Sequence, residues 1–405
     1  MNILLLCNKP PYPAAEGGPM AMNSIIMGLL EAGHHVKVLA VNSPKYNVRA
    51  EDIPEEYKAK TGIELVDLDL DVKPFKAFLN LFTDKSYHVE RFISSKFDKR
   101  LKEVLKTNKF DIVQLEMLYM TPYVKTIREN SNAAIILRAH NVEHLIWERI
   151  ANETAFLPKR LYIRHLARTL KKYELSAVNT VDGIAAITRK DAAFFRRTCH
   201  KPVVDIPFGI HPEEFEPQYE IEGKPSFYHI GSMNWTPNEE GIKWFIDNVL
   251  DDLVAKVPDF VYHLAGRSMP QWMKELHNPH LDVVGEVPDA KEFVNANSVA
   301  IVPLLSGSGI RIKIIESMAL GKTVITTRIG AEGILYDEDT NIIIAETKAK
   351  MIEAIRRVNE NPQMAVEIGK AARKLIEDRY DNRKIISRLL LFYDQIKSHS
   401  KMTFA

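Results

Sequence analysis

Short apolar runs alternate with helix-length stretches along almost the whole chain, and this alternation constrains the fold more than any other feature. The run Ile3 to Cys7 leads through the loop KPPYPAAEGG into a helical pattern from about Pro19 to Ala32. Gly33 then suits a helix C-terminus, and a second run spans His35 to Val41. FDIVQLE, AAIILRAH, GIAAIT and VVDIPFG continue the series. Strands separated by helices rather than by hairpin turns predict α/β units whose parallel sheets are covered on both faces.

The pattern stops at FGIHPEEFEPQYEIEGKP and then restarts with SFYHIGS, FVYHLAG, HLDVVGEV, SVAIVPLL and TVITT. At 405 residues the chain is also too long for one core and suits two domains of roughly 200 residues. We expect an N-terminal domain over residues 1–207, a linker over 208–224, and a C-terminal domain over 225–380. A last helix, from about Arg383 to Ser398 within 381–405, could pack on either domain.

Charge narrows the partners. Lys and Arg total 54 against 53 Asp and Glu, so no global basic surface argues for nucleic acid, and anion binding must be local. Cys7 and Cys199 have neither metal-knuckle nor disulfide spacing, which fits a reducing, cytoplasmic location. No apolar run is long enough to cross a bilayer.

Parallel α/β sheets bind ligands beyond the carboxyl ends of their strands. Three such junctions are Gly-rich: Gly17-Gly18, Gly231-Ser232-Met233-Asn234, and the run SGSGIRIK from Ser306 to Lys313. Glycine lets backbone N–H groups approach an anion, and the helix N-terminus adds partial positive charge. In IRIKIIESMA, Ile312, Ile315 and Ala319 recur at helical spacing and should face the core. Arg311 and Lys313 then fall near an exposed first turn, where cations oppose the helix dipole. A bound phosphate resolves that conflict, and Glu316 offers an acceptor for sugar hydroxyls. A plain surface pair of Lys313 with Glu316 accounts for the same residues.

Other motifs are read the same way. Thr236-Pro237-Asn238-Glu239 has the form of a capping box, and Trp235, Trp244 and Phe245 suit a core. RAHNVEH places His140 and Glu143 at a strand's carboxyl end. Asp67, Asp69 and Asp71 alternate as the polar face of an edge strand whose last residues lie in a loop, rather than as a metal site. Eleven Lys or Arg between Lys159 and Lys201 face only Glu174, Asp182 and Asp191. With FKAFLNLF upstream, they are compatible with peripheral membrane contact by the N-terminal domain or with a plain solvated face.

The ordered set of GG after the first strand, HNVE, FGI, GSMNWTPN, GEV and GSGIRIKIIESMALGK resembles the retaining glycosyltransferases of family 4. The resemblance covers most of the chain. It implies the GT-B fold, with two Rossmann-like domains whose parallel sheets face each other across a cleft. It also implies transfer of a sugar from a nucleotide-diphosphate sugar, without a metal or other cofactor, to a glycan or lipid-linked acceptor such as a surface polysaccharide. Matched by position, Glu316 is the second glutamate of the family's E-x7-E motif and contacts the donor ribose. Gly285 and Val287 match the loop that meets the base, Gly17 and Gly18 the loop near the donor phosphates, and His140 a histidine that donates a hydrogen bond near the donor sugar. Gly231, Ser232, Asn234, Gly309 and Ile310 fall in the donor-binding loops.

Two positions depart from the family pattern. The first glutamate of E-x7-E falls on Ser308, and the Arg and Lys expected after the first strand of the second domain are replaced by Met233 and Asn234. Arg311 and Lys313 then take over the diphosphate. A silent nucleotide-sugar binding protein, or a nucleotide-sugar epimerase using Glu116 and Glu143 as an acid/base pair, remain as alternatives.

Overall fold

The computed structural model describes residues 1–14, 17–307 and 309–403. Two compact units emerge: Met1–Gly209 with the chain from Asn382 onward, and Ile210–Asp381.

In the first unit the strands are β1 (Asn2–Cys7), β2 (His35–Asn42), β3 (Glu64–Asp67), β4 (Ile112–Glu116), β5 (Ala134–Ala139), β6 (Gly183–Ala186) and β7 (Val203–Asp205). They form one sheet in the order β3-β2-β1-β4-β5-β6-β7, and every pairing is parallel. The central strand β1 is buried over Ile3–Cys7, because helices cover both faces and no residue can be spared for solvent. The second unit repeats the design with β8 (Phe227–Ile230), β9 (Tyr262–Ala265), β10 (Leu281–Gly285), β11 (Val299–Val302), β12 (Thr323–Thr326) and β13 (Ile343–Ile344). Their order is β10-β9-β8-β11-β12-β13. In each unit the strand order reverses beside the first strand, at β1/β4 and at β8/β11, and this opens a crevice at the carboxyl ends.

The segment 208–224 is not a free linker. From Ile210 onward it lies on the second unit: Phe215 is buried, with the Lys291 ammonium 4.2 Å above its ring, and Lys322 Nζ donates to Gln218 O at 3.1 Å. The C-terminal helix Asn382–Thr403 belongs to the first unit. It buries Ile385, Ile386, Leu389, Phe392, Tyr393 and Ile396 in the core that holds Ile25 and Leu29, each such side chain contributing about 1.5–3 kcal/mol. Gly28 permits the approach, since a Cβ there would lie 2.5 Å from Ile386 Cγ1.

Several local expectations give way to tertiary contacts. Gly17 and Gly18 are the first residues of the helix Gly17–Glu31 rather than part of the preceding loop. Edge strand β3, by contrast, ends at Asp67 with Asp69 and Asp71 in the following loop, as the alternation predicts; Asp69 pairs with Lys73 at 3.1 Å. The capping box does not form: Trp235 occupies the cap position without a side-chain bond, and Glu239 instead accepts from Trp272 Nε1 at 2.7 Å. Among the described residues no helix is long and apolar enough to cross a membrane. No group of three His, Cys, Asp or Glu among them is placed to hold a metal ion.

Candidate functional site

In the second unit the site is built around Lys313, in the first turn of the helix Ile312–Ala319. His229 on β8 is fully buried, and its Nδ1 lies 3.0 Å from Ile301 O on β11. A carbonyl can only accept, so Nδ1 carries the proton and Nε2 accepts from Lys313 Nζ at 3.0 Å. Asn238 Oδ1 accepts from the same ammonium at 2.5 Å, while its Nδ2 donates to Ser232 O at 2.8 Å. Among the described residues no carboxylate pairs with Lys313. Burial, reinforced by Arg311, lowers its pKa to about 7. Burial and then Lys313 hold His229 well below its ordinary value.

Arg311 precedes the helix and is 4% exposed. Its guanidinium stands 5.3 Å from the Trp235 ring centroid, donates through Nη1 to Gly309 O, and reaches Ile329 O at 3.4 Å through Nη2. Both cations are therefore enclosed rather than on an exposed turn. Lys313 points to His229 and Asn238 instead of forming a surface pair with Glu316. Half-buried Trp235 is the shelf under Arg311 rather than core, whereas Phe245 is buried in the core. Ile312 is only half-buried, and Ile314 joins Ile315 and Ala319 inside.

The glycine junctions gather around these cations. A Cβ on Gly231 would lie 2.9 Å from Lys313 Nζ, and one on Gly307 would lie 3.1 Å from Arg311 Nη2. At Gly266, with φ +150, a Cβ would lie only 1.7 Å from Gly231 O, so no side chain fits. Gly266 N donates to Gly285 O at 2.7 Å. Gly231, Gly266 and Gly285 thus sit side by side at the ends of β8, β9 and β10. Val287 is half-buried two residues beyond, and Ile310 is half-buried beside Arg311. Ser232 Oγ donates to the exposed Asn234 at Oδ1, 2.8 Å away. Burial pushes the Glu316 carboxyl up to about 7, against the pull of Lys291, and its carboxylate has no hydrogen-bond partner among the described residues. Ser308 lies outside the described residues.

The first unit carries a second cluster at the end of β4. Glu116 and Arg138 face each other in the β4–β5 register, both fully buried. Glu116 Oε2 lies 2.7 Å from His140 Nε2 and 3.3 Å from Arg138 Nη1, and Oε1 accepts from Gln114 Nε2 at 2.6 Å. Gln114 Oε1 in turn accepts from Tyr393 on the C-terminal helix. Burial raises the Glu116 carboxyl, but Arg138 and the His140 bond outweigh it and hold it below its ordinary value. Burial keeps the His140 ring neutral against the pull of Glu116. A neutral ring that donates from Nε2 to Glu116 can only accept at Nδ1, so the expected donor role becomes an acceptor role.

Glu116 cannot touch a ligand or serve as half of an acid/base pair, because it has no exposed surface and its oxygens are already engaged. Glu143 is different. It opens the helix Glu143–Glu153, accepts from Tyr119 OH at 2.8 Å, and burial, with Glu174 adding, raises its pKa to about 7. Glu174, from the helix Leu157–Ala177, caps that helix by accepting from the N–H groups of Glu143 at 2.9 Å and His144 at 3.1 Å. Gly18 lies beside Lys9, whose Nζ would be 2.9 Å from a Cβ there; Gly17 is exposed at the helix start.

Lys9, Arg138, Glu174, His229, Asn238 and Trp235 escape a reading of motifs. One signal was present for the β4 cluster: Gln114 and Glu116 interrupt an otherwise apolar strand, and a polar side chain on a doubly covered strand needs a buried partner.

Residues 224–361 match the family described as Glycosyl transferases group 1. Over 404 residues the chain is 21% identical to a Klebsiella pneumoniae protein described as an uncharacterized 44.6 kDa protein in the cps region, a match covering 96% of this chain and 98% of that one. Among solved structures, sucrose-phosphate synthase of Thermosynechococcus elongatus is similar with a TM-score of 0.70 at 16% identity, over 98% of this chain and 100% of that one. HepE of Anabaena in complex with UDP gives 0.66 at 13% identity, over 98% and 100%. A TarM variant of S. aureus in complex with Fondaparinux, alpha-GlcNAc-glycerol and UDP gives 0.65 at 12% identity, over 97% and 100%. The chain therefore has the GT-B glycosyltransferase fold, and the unit that holds Arg311, Lys313 and Glu316 is the one whose sequence matches the group 1 glycosyltransferases.

Proposed function

We propose that this protein is a retaining glycosyltransferase of the hexosyltransferase type, acting on a nucleoside diphosphate sugar. The observation that carries the reading is Lys313. A buried ammonium held, among the described residues, by a neutral histidine and an amide, next to Arg311 and under Gly231, is a site awaiting an anion. A diphosphate supplies that anion, and Glu316 on the same helix takes the ribose hydroxyls. The bond from the sugar's anomeric carbon to the diphosphate breaks, and the acceptor hydroxyl forms its new bond on the same face. Its proton passes to the leaving phosphate. Arg311 and Lys313 stabilise the charge that develops, so no step calls for a metal.

The acceptor binds the first unit, where His140 Nδ1 accepts from a hydroxyl and Glu143 offers a carboxyl poised near neutrality. A glycan or lipid-linked glycan for a surface polysaccharide is supported by the cps-region relative and by the Fondaparinux and alpha-GlcNAc-glycerol bound to TarM, while the UDP of HepE supports the donor class. Phe75, Phe78 and Phe82, 73%, 57% and 76% exposed, and Leu161 beside the exposed Arg164 and Arg168 support peripheral contact at the inner face of a membrane.

A thermal-shift panel of UDP, GDP, ADP, dTDP and CMP on the wild type and on Glu316→Ala tests the donor site. Ligand at a hundred times its dissociation constant stabilises by about 2.7 kcal/mol. One nucleotide should give a shift that the variant loses. No shift with any nucleotide sinks the reading, and binding without transfer or donor hydrolysis marks a binding protein.

A further inference from the structure

We propose that Asn238 is a positioning residue for the donor diphosphate: its side-chain amide ties the Lys313 ammonium to the Ser232 carbonyl and holds the cation beneath Gly231 without cancelling its charge. That the ligand is a diphosphate rests on the transferase reading; the tie itself does not.

The geometry begins with Gly241. A Cβ there would lie 2.5 Å from Pro303 O, so glycine is what lets the helix Thr236–Asn248 come up against the carboxyl end of β11. Asn238, in the first turn of that helix, is 3% exposed. Its Oδ1 accepts from Lys313 Nζ at 2.5 Å, and its Nδ2 donates to Ser232 O at 2.8 Å. An ammonium can only donate and a carbonyl can only accept, so the amide has one orientation. His229 is fixed in the same manner: Ile301 O holds the proton on Nδ1 and leaves Nε2 as the acceptor. Lys313 therefore meets two neutral acceptors, each oriented by a main-chain carbonyl.

These groups converge on one point. A Cβ on Gly231 would lie 2.9 Å from Asn238 Nδ2, 2.9 Å from Lys313 Nζ and 3.4 Å from His229 Nε2. An ammonium carries three donor hydrogens. Among the described residues His229 and Asn238 take two of them, and the third is left for a phosphate oxygen.

An aspartate at 238 would not serve. A carboxylate cannot donate to Ser232 O, and it would pair with the ammonium in competition with the phosphate. The charged groups on the surrounding elements leave the cation unmatched. Arg311, ahead of the helix Ile312–Ala319, adds like charge. Glu239 accepts from Trp272 Nε1 at 2.7 Å, and Glu240 accepts from Ser306 Oγ at 2.9 Å. Burial pushes Glu316, one turn along from Lys313, up to about 7, and it holds His229 well below its ordinary value.

The test is calorimetric titration of the full chain with UDP, GDP and ADP from about pH 6.5 to 9.5, spanning the lysine's pKa of about 7. A nucleotide that binds the wild type should bind Asn238→Ala about tenfold or more weakly. In a Lys313→Met background the same substitution should change affinity by about twofold or less, because Asn238 acts through the ammonium. Asn238→Asp, of the same size, should also weaken binding. Its carboxylate holds the proton on Lys313, so the pH at which affinity falls should move up by about one to three units; the nucleotide's own titration is common to both proteins. A loss that persists in the Lys313→Met background, or an aspartate variant whose affinity falls at the wild-type pH, reduces Asn238 to scaffolding and overturns the proposal. Equal binding by the wild type and Asn238→Ala overturns it as well and leaves the donor site standing. No binding of any of the three nucleotides to the wild type refutes the donor site, and this proposal with it.

Discussion

Lys313 donates to the lone pair of His229 Nε2 at 3.0 Å, so the ammonium and a charged imidazole cannot coexist there. The unit resolves this by keeping the imidazole neutral and lowering the lysine to about 7. The free protein is thus poised to lose the very charge that a diphosphate needs.

A pH dependence of donor binding follows. Below pH 7 the ammonium is already charged; above it, binding a diphosphate must restore the proton. UDP affinity should fall as pH rises above about 7, by up to about tenfold per unit. Lys313→Arg, which stays charged, should flatten that slope. Calorimetry from pH 6 to 9 reads both, and parallel slopes in the two proteins exclude Lys313 as the titrating group.

Arg311→Ala should lower turnover about a hundredfold or more, because a preorganised charge stabiliser is lost. The enclosing contacts with Trp235 and Gly309 make it part of the loop's structure as well, so Arg311→Lys separates the roles. It should preserve the melting temperature more nearly than it preserves turnover. Unchanged turnover in Arg311→Ala removes the residue from the mechanism.

Glu116→Gln should destabilise the first unit by about 3–5 kcal/mol, since it strips the fully buried Arg138 of its carboxylate. Tyr393→Phe should cost less, about 1–3 kcal/mol, by leaving Gln114 Oε1 without its donor. Denaturant midpoints of the two variants give the order directly; equal losses would contradict it.

Glu143→Gln should change stability in a pH-dependent way. The folded carboxyl has its pKa raised to about 7, so the wild type loses stability as pH rises from its unfolded value through 7. Glutamine carries no such cost. The variant should therefore be more stable relative to wild type at pH 8 than at pH 5, by on the order of 3 kcal/mol. A pH-independent difference in melting would mean that the carboxyl is not buried in its charged form.

Gly266→Ala should abolish UDP binding, because its Cβ would meet Gly231 O at 1.7 Å and displace the turn over Lys313. A UDP titration against the wild type reads this, and retained affinity would show that the turn can shift without harm.

The periodicity of apolar and polar residues determined the two α/β units by itself. Whether a stretch becomes strand or helix is decided within a few residues, and parallel strands buried on both faces must be apolar throughout, as Ile3–Cys7 are. The positions of Arg311, Lys313, Glu316, His140 and Glu143 at strand ends and helix starts were legible on the same ground. Only the tertiary structure decided what surrounds them. Lys313 meets His229 and Asn238 from 84 and 75 residues away, Glu239 leaves its helix start for Trp272, and the His140 cluster is anchored through Gln114 by Tyr393, 279 residues later. Burial and pairing set whether a lysine is charged or a carboxyl is protonated, and both depend on side chains brought in by distant segments, which no local pattern encodes.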